Sequence, residues 1–272
     1  VGCLGHCYAE PMAIIAKPGY PPLIYGYLTP GVAARLVPDF LAGDDPCLEF
    51  LFAALEPNDM FPSLADLPRS QHETRLILRR CGLIDPTDIY EYIADEGYAG
   101  LQKALGLDPG AVVAEVEASG LRGRGGAGFP TGRKWRICLD AVSADKFVVC
   151  NADEGDPGAF MDRAVLESDP HAVVEGMAIA AYAVDAHQGY IYVRAEYPLA
   201  VEMVTAAVRQ ARQVGILGQS VLGSGFSFDI GVAQGAGAFV CGEETALILS
   251  LEGKRGMPYP RPPYPATHCL WG

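Results

Sequence analysis

The chain has 272 residues, 50% of them hydrophobic, with a formal charge of −13 and a sequence pI near 4.7. That composition supports a buried core of one or two domains, and the acidic balance excludes broad nucleic-acid binding, because such a surface repels phosphate backbones. No uncharged apolar stretch long enough to span a bilayer occurs, and the N-terminus lacks the basic and apolar pattern of a secretion signal. Eight cysteines over this length are too sparse for a disulfide scaffold and point to reduced thiols in a cytoplasmic protein. The start at Val1 without Met and the end at Leu270-Trp271-Gly272 read as cuts through a longer protein.

Residues 1–42 form a small α+β module. Cys3 and Cys7 stand in a C-x3-C arrangement beside Gly2 and Gly5. Two such thiolates can hold one iron of an iron–sulfur cluster or half of a zinc site, and they are equally readable as reduced core residues. Short strands are expected over 11–15 and 21–27, separated by the Lys17-Pro18-Gly19 turn. Thr29-Pro30 starts a helix to about Ala42. Prolines 46, 57, 62 and 68 break any periodicity in 43–69, which reads as a linker. A helical lead-in follows over 70–107, with helices from Ser70 to a Cys81-Gly82 stop, from Asp85-Pro86 through Ile93, and from Gly97 to Leu105.

Residues 108–272 carry the chemistry. Asp108-Pro109 opens a helix to Ser119, and residues 120–135 (GLRGRGGAGFPTGRKW) then hold six glycines and four basic side chains with no acid among them. Glycines let consecutive N–H groups approach a phosphate, and Arg122, Arg124, Arg133 and Lys134 supply charge-assisted bonds. Gly123, Gly125 and Gly128 satisfy G-x-G-x-x-G, but a Rossmann fingerprint needs a strand before it, and here a helix enters the loop. The apolar run 146–150 reads as a buried strand delivering NADEGDPGAF, residues 151–160, at its carboxyl end, where ligands of open α/β sheets bind. The acids Asp153, Glu154 and Asp156 can pair with the loop arginines or accept hydrogen bonds from sugar hydroxyls. A helix over 170–183, a strand over 189–195, a helix over 197–214 and a strand over 226–235 continue the alternation, so a mainly parallel sheet with covering helices is expected. Glu243 and Glu244 then open a helix, where acids suit the positive end of the dipole, and the proline-rich arm 254–272 displays Tyr259, Arg261 and Tyr264.

Taken together, residues 120–135, 151–160, 237–245 and 260–272 resemble, in order and spacing, the NADH-binding flavoprotein subunit of respiratory complex I and its relatives. Those relatives are the diaphorase subunits of NAD-linked hydrogenases and NAD-dependent formate dehydrogenases. The first segment resembles the tail of a thioredoxin-like [2Fe–2S] ferredoxin domain, with Cys3 and Cys7 matching the second of its two cysteine pairs.

The resemblance implies a Rossmann-like domain binding FMN, with NAD(H) stacked over the flavin. By position, the FMN site comprises Gly123, Arg124, Gly125, Lys134, Asn151, Asp153 and Glu154, closed by Phe239, Gly242 and Glu243. The NAD(H) site comprises Phe129, Asp156, Glu244, Arg261 and Tyr264. Hydride transfer needs positioned cofactors rather than a catalytic acid or base, and Glu244 is the nearest candidate for such a role. The implied partners are iron–sulfur electron-transfer subunits and a hydrogenase or formate dehydrogenase catalytic subunit. The [2Fe–2S] site is partial here, and a [4Fe–4S] cluster is expected in a region beyond residue 272. Asp156 stands where complex I members often carry Glu, Arg261 where Lys is usual, and Ile137 where some have an aromatic residue. The rival readings are the same subunit of a proton-pumping NADH:quinone oxidoreductase, a non-catalytic relay or scaffold, and an NAD-only Rossmann reductase.

Overall fold

The computed structural model describes residues 2–143, 145–235, 238–267 and 270–271. Of the sequence features singled out above, Gly237, His268, Cys269 and Gly272 lie outside the described residues. The chain divides into two compact units, one from Cys3 to Arg79 and one comprising residues 1–2 and 80–272.

In the smaller unit, β1 (Ala13–Ile15) and β2 (Leu23–Tyr25) form an antiparallel pair, α1 (Pro30–Leu36) follows, and β3 (Leu51–Ala54) pairs antiparallel with β2. Thr29 caps α1 by accepting from the Val32 amide at 3.3 Å, and Pro30 occupies the first turn, where a missing N–H costs nothing. Leu23, Tyr25, Leu36, Phe40, Cys47 and Ala54 make the core.

Two expectations fail here. Residues 43–69 are not a free linker, because β3 lies within them and completes the sheet; the prolines read as linker breaks flank that strand. The helix expected from Ser70 is a single 3-10 turn, Ser70–His72, followed by turns in which Leu76 and Ile77 are exposed. Arg69 and Arg75, instead of lining a helix face, donate to the carbonyls of Gly5 and Leu4.

The larger unit opens with α2 (Ile89–Ala94), α3 (Ala99–Leu105), α4 (Pro109–Ser119) and α5 (Thr131–Asp140). There follow β4 (Phe147–Ala152), α6 (Met161–Ser168), α7 (Pro170–Val184), β5 (Gln188–Arg194), α8 (Pro198–Gln213), β6 (Asp229–Gly235) and α9 (Glu244–Leu251). The three strands form a parallel sheet in the order β4-β5-β6.

Alternation along the strands explains the layering. Val148, Cys150, Ile191, Val193 and Val232 join the core made with α7 and α8, whereas Val149, Tyr192 and Ala233 pack with Leu247 and Leu251 of α9. Small residues on α7 and α8 (Ala178, Ala181, Ala200, Ala207 and Ala211, all fully buried) let the helices lie close to one another and to the sheet. β4 was expected to be a buried strand, but it stands at the edge of the sheet and is half-buried, since β5 flanks it on one side only. No helix among the described residues is long and apolar enough to cross a membrane.

Candidate functional site

The glycine-rich loop closes on itself. The Gly123 amide donates to the Phe129 carbonyl and the Thr131 amide to the Leu121 carbonyl, both at 2.9 Å, so residues 122 and 130 form a stem. Gly126 (φ +100°) and Gly128 (φ +61°) adopt the left-handed backbone that makes the tip, and a Cβ at Gly125, Gly126 or Gly128 would meet nothing within 4 Å. The tip is therefore open rather than packed. Arg122 folds back onto the Gly128 carbonyl at 3.1 Å, the Arg133 guanidinium lies 5.9 Å from the centre of the Phe129 ring, and Arg124 makes no ion pair or hydrogen bond among the described residues. α4 enters the loop and α5 leaves it, which confirms the helix ahead of Gly120. Gly132 sits where α5 crosses α4; a Cβ there would come within 2.6 Å of the Glu117 backbone.

Parallel pairing sets the opposite wall. Because Asn151 aligns with Tyr192 and Arg194 with Gly235, the carboxyl ends of β4, β5 and β6 lie level, and the residues following each strand share one edge. The Asn151 amide donates to the Gly242 carbonyl at 2.8 Å, joining β4 to the 3-10 turn Phe239–Gly242 that precedes α9. A Cβ at Gly242 would lie 3.1 Å from the Asp153 carbonyl, so the two segments approach backbone to backbone. Asp153 is almost fully buried, with its side chain 4% exposed. Its Oδ1 takes a bond from Arg194 at 3.3 Å, while Oδ2 is buried without a hydrogen-bond partner among the described residues. Burial pushes the Asp153 carboxyl above the usual range, and Arg194 opposes that rise without cancelling it.

Charge then closes the ring of elements. Lys134 Nζ on α5 lies 3.1 Å from Glu244 Oε2, Arg261 Nη1 lies 2.6 Å from Glu244 Oε1, and Arg261 Nη2 lies 2.8 Å from Glu243 Oε1. Glu243 is also the cap of α9, its Oε2 accepting from the amides of Thr245 (2.9 Å) and Ala246 (3.2 Å). Its carboxyl lies below the usual range. Burial raises it, but the Thr245 and Ala246 hydrogen bonds and Arg261 outweigh that rise. Lys134, assigned by position to the flavin site, and Glu244 and Arg261, assigned to the nucleotide site, thus form one ionic chain.

The remaining residues fall into two groups. Glu154 is 8% exposed and accepts from the amides of Asp162 (2.9 Å) and Arg163 (3.4 Å), so its carboxylate satisfies two otherwise free donors in the first turn of α6. The Tyr197 hydroxyl donates to the Glu154 carbonyl at 2.8 Å, fixing the same loop from β5's side. Asp156 is exposed and turned onto the Gly158 amide at 2.8 Å. Phe129, Phe239 and Tyr264 are exposed aromatics. The side chains of Phe129, Asp156 and Tyr264 make no hydrogen bond or ion pair with the ionic chain among the described residues. Sequence reading missed Arg194 and Tyr197; a basic residue at the carboxyl end of a strand was the available signal for the first. It also missed α5, which begins inside the glycine-rich run, and α6, which follows directly on residues 151–160.

The arrangement fits FMN on two observations, the open glycine tip flanked by Arg124 and Lys134 and the buried, unpartnered Asp153 Oδ2 set for a hydrogen-bond donor. In the smaller unit, the Cys3 and Cys7 sulfurs and a Glu10 carboxylate oxygen lie within 4.8 Å of one another. The Gly5 amide donates to Cys3 Sγ at 3.2 Å, and the Cys3 thiol, pushed up to about 11 by burial and then by the nearby acid, donates to Glu10 at 3.3 Å. Two sulfurs with an amide donor suit one iron of a cluster, and the set is half of what a [2Fe–2S] cluster takes.

The Nuo51 FMN-binding domain model matches residues 116–271, more than half of the chain. The NADP-reducing hydrogenase subunit HndC of Solidesulfovibrio fructosivorans is 57% identical over 208 residues, which are 76% of this chain and 42% of that protein. An NADH-quinone oxidoreductase subunit of Aquifex aeolicus is 49% identical over 208 residues, 76% of this chain and 49% of that protein. The NAD-reducing hydrogenase HoxS subunit alpha of Cupriavidus necator is 36% identical over 283 residues, 99% of this chain and 42% of that protein. Among solved structures, an air-oxidised NAD+-reducing [NiFe]-hydrogenase aligns with TM-score 0.58 and 33% identity, over 92% of this chain and 40% of that one. The chain thus spans about half the length, or less, of the relatives it matches. With the glycine loop, the parallel-strand edge and the start of α9 all inside the matched range, the chain belongs to the Nuo51 FMN-binding domain family.

Proposed function

We propose that the chain forms the FMN- and NAD(H)-binding part of a diaphorase subunit. In this reading hydride passes between NAD(H) and FMN, and single electrons go on to the iron–sulfur clusters of a cytoplasmic, multi-subunit hydrogenase or formate dehydrogenase. The observation that carries the reading is Asp153, buried at the carboxyl edge of a parallel sheet with one oxygen unpartnered among the described residues.

Bound FMN supplies the exchange between two-electron and one-electron chemistry. Gly123, Arg124, Gly125 and Lys134 hold its phosphate, Asn151 and Asp153 accept and donate along its sugar and ring, and Phe239, Gly242 and Glu243 close the pocket. Glu154 serves from behind, holding α6 so that the loop after β4 keeps its shape. Phe129, Asp156, Glu244, Arg261 and Tyr264 form the dinucleotide subsite, with aromatic faces for adenine and carboxylates for hydroxyl groups. These residues act by orienting the two cofactors and excluding water between them, so none has to carry a proton. Cys3 and Cys7 hold one iron of a [2Fe–2S] cluster.

A hydrogenase-type assembly is favoured over a proton-pumping quinone reductase by one observation. The match to the hydrogenase alpha subunit takes in nearly the whole chain, the smaller unit included, whereas the match to the Aquifex quinone reductase protein leaves about a quarter uncovered.

Titration of the purified chain with FMN, followed by anaerobic NADH, tests the reading. Quenched flavin fluorescence and loss of the visible flavin band on adding NADH are expected. Absence of flavin binding, or a bound flavin that NADH leaves oxidised, would contradict it.

A further inference from the structure

Arg194, the last residue of β5, has a side chain only 16% exposed, although arginine is seldom buried without a specific partner. Its Nη1 reaches Asp153 Oδ1 at 3.3 Å, its Nη2 lies 3.3 Å from Glu196 Oε1, and its guanidinium lies 5.8 Å from the centre of the Tyr197 ring. The loop after β4 runs directly across this group. A Cβ at Gly155 would come within 2.8 Å of Arg194 Nη1 and within 2.7 Å of the Phe239 ring, so glycine is what allows the backbone, the guanidinium and the aromatic ring to share the space.

We infer that Arg194 is a positioning residue of the flavin subsite: by holding Asp153 Oδ1 it fixes the plane of the carboxylate and leaves Oδ2 as the acceptor for an N–H or hydroxyl of bound FMN. The inference rests on the FMN reading above and goes beyond it by assigning the acceptor's orientation to a residue outside the family motifs. With Oδ1 engaged by Arg194, the acceptor capacity that remains is concentrated on Oδ2, and the fixed carboxylate plane limits the directions from which a donor can reach it. Water cannot supply an equivalent restraint in a wall where Asp153 is 4% exposed. The guanidinium is suited to the task because its planar fork engages Asp153 with one nitrogen and Glu196 with another. An ammonium can replace the charge but not the fork.

FMN dissociation constants, read by fluorescence titration for the wild type, Arg194→Gln, Arg194→Lys, Asp153→Asn and the Arg194→Gln/Asp153→Asn pair, test this role. Each glutamine or asparagine change alone is expected to weaken binding about tenfold. The pair is expected to bind no worse than Asp153→Asn alone, because the arginine acts through the aspartate. Arg194→Lys recovers part of the loss. A hundredfold, additive loss in the pair, or wild-type affinity in Arg194→Gln, would overturn the inference. Should Arg194→Gln fail to give a cooperative melt, the lysine variant on the two Asp153 backgrounds makes the same comparison. A wild-type chain that binds no FMN would refute the flavin reading itself, which is a distinct result from a wild type that binds and an Arg194→Gln variant that binds equally well.

Discussion

The two walls of the site treat charge in opposite ways. The glycine loop leaves Arg124 without a partner among the described residues and places three glycines against open space, whereas the wall built by β4, α9 and the proline-rich arm neutralises its own charges. Lys134, Glu244, Arg261 and Glu243 make a continuous chain of ion pairs, each half-exposed and contributing roughly 0.2–1 kcal/mol. An anion meeting Arg124 at the loop displaces no protein partner among the described residues, while at Lys134 it competes with Glu244. A ligand entering at Glu244 has to exchange a weak pair, and the small energy of each pair makes that exchange easy. On the proposed reading, the open loop tip suits a tightly held phosphate and the Glu244 end a ligand that exchanges.

The largest effect expected to break this contrast comes from Gly132. Valine there collides with the Glu117 backbone, forces α5 away from α4 and carries the base of the loop with it. A loss of about 3 kcal/mol in unfolding free energy is expected by denaturant titration, together with loss of FMN binding. Unchanged stability would show that the α4–α5 crossing is loose and the loop independent of it. Lys134→Ala comes next. It removes a cation from beside the loop and should weaken FMN binding by about tenfold to thirtyfold, measured as flavin content after dialysis. Full occupancy would move the phosphate elsewhere.

Glu244→Ala acts on the exchanging wall. It should leave flavin content intact, since Lys134 is freed rather than lost, and raise the KM for NADH about tenfold. Unchanged kinetics would remove Glu244 from the dinucleotide subsite. The smallest effect is on the empty protein. Because burial holds the Asp153 carboxyl above its unfolded value, the folded state favours the protonated form, and stability from this group declines as pH rises from about 4 through the folded pKa. Asp153→Asn abolishes that decline, so its thermal midpoint should gain on the wild type between pH 4 and pH 7. A variant midpoint that falls behind the wild type over the same range would mean that Arg194 over-compensates the burial.

Much of the larger unit was legible because helix and strand periods alternate cleanly there. α4 and α8 fall within the segments read from the sequence, α7 and β5 each overrun theirs by one residue at one end, α9 starts where its helix was expected, and Pro109, Pro170 and Pro198 mark three of the helix starts. The parts that stayed hidden depend on distant partners. β3 is a four-residue strand whose identity rests on pairing with β2 across an intervening helix, and nothing in its local pattern separates it from a linker. α5 begins inside the glycine-rich run, where composition argues against a helix, yet its crossing with α4 decides.

At the site, family position named candidate side chains but not their couplings. Glu154, placed by position on the flavin, accepts from two amides in the first turn of α6. Lys134, Glu244 and Arg261 were placed in different subsites and are joined. Arg194 escaped notice altogether, since a single arginine at the end of a strand declares its role only when Asp153 is found buried beside it.

The central claim is that the open glycine loop holds the phosphate of the flavin. Comparing the affinity of the chain for FMN with that for riboflavin, which lacks the phosphate and shares everything else, tests it most directly. FMN should bind about a hundredfold more tightly, with the advantage shrinking as salt screens the loop cations. Equal affinity for the two flavins at low salt would contradict the account.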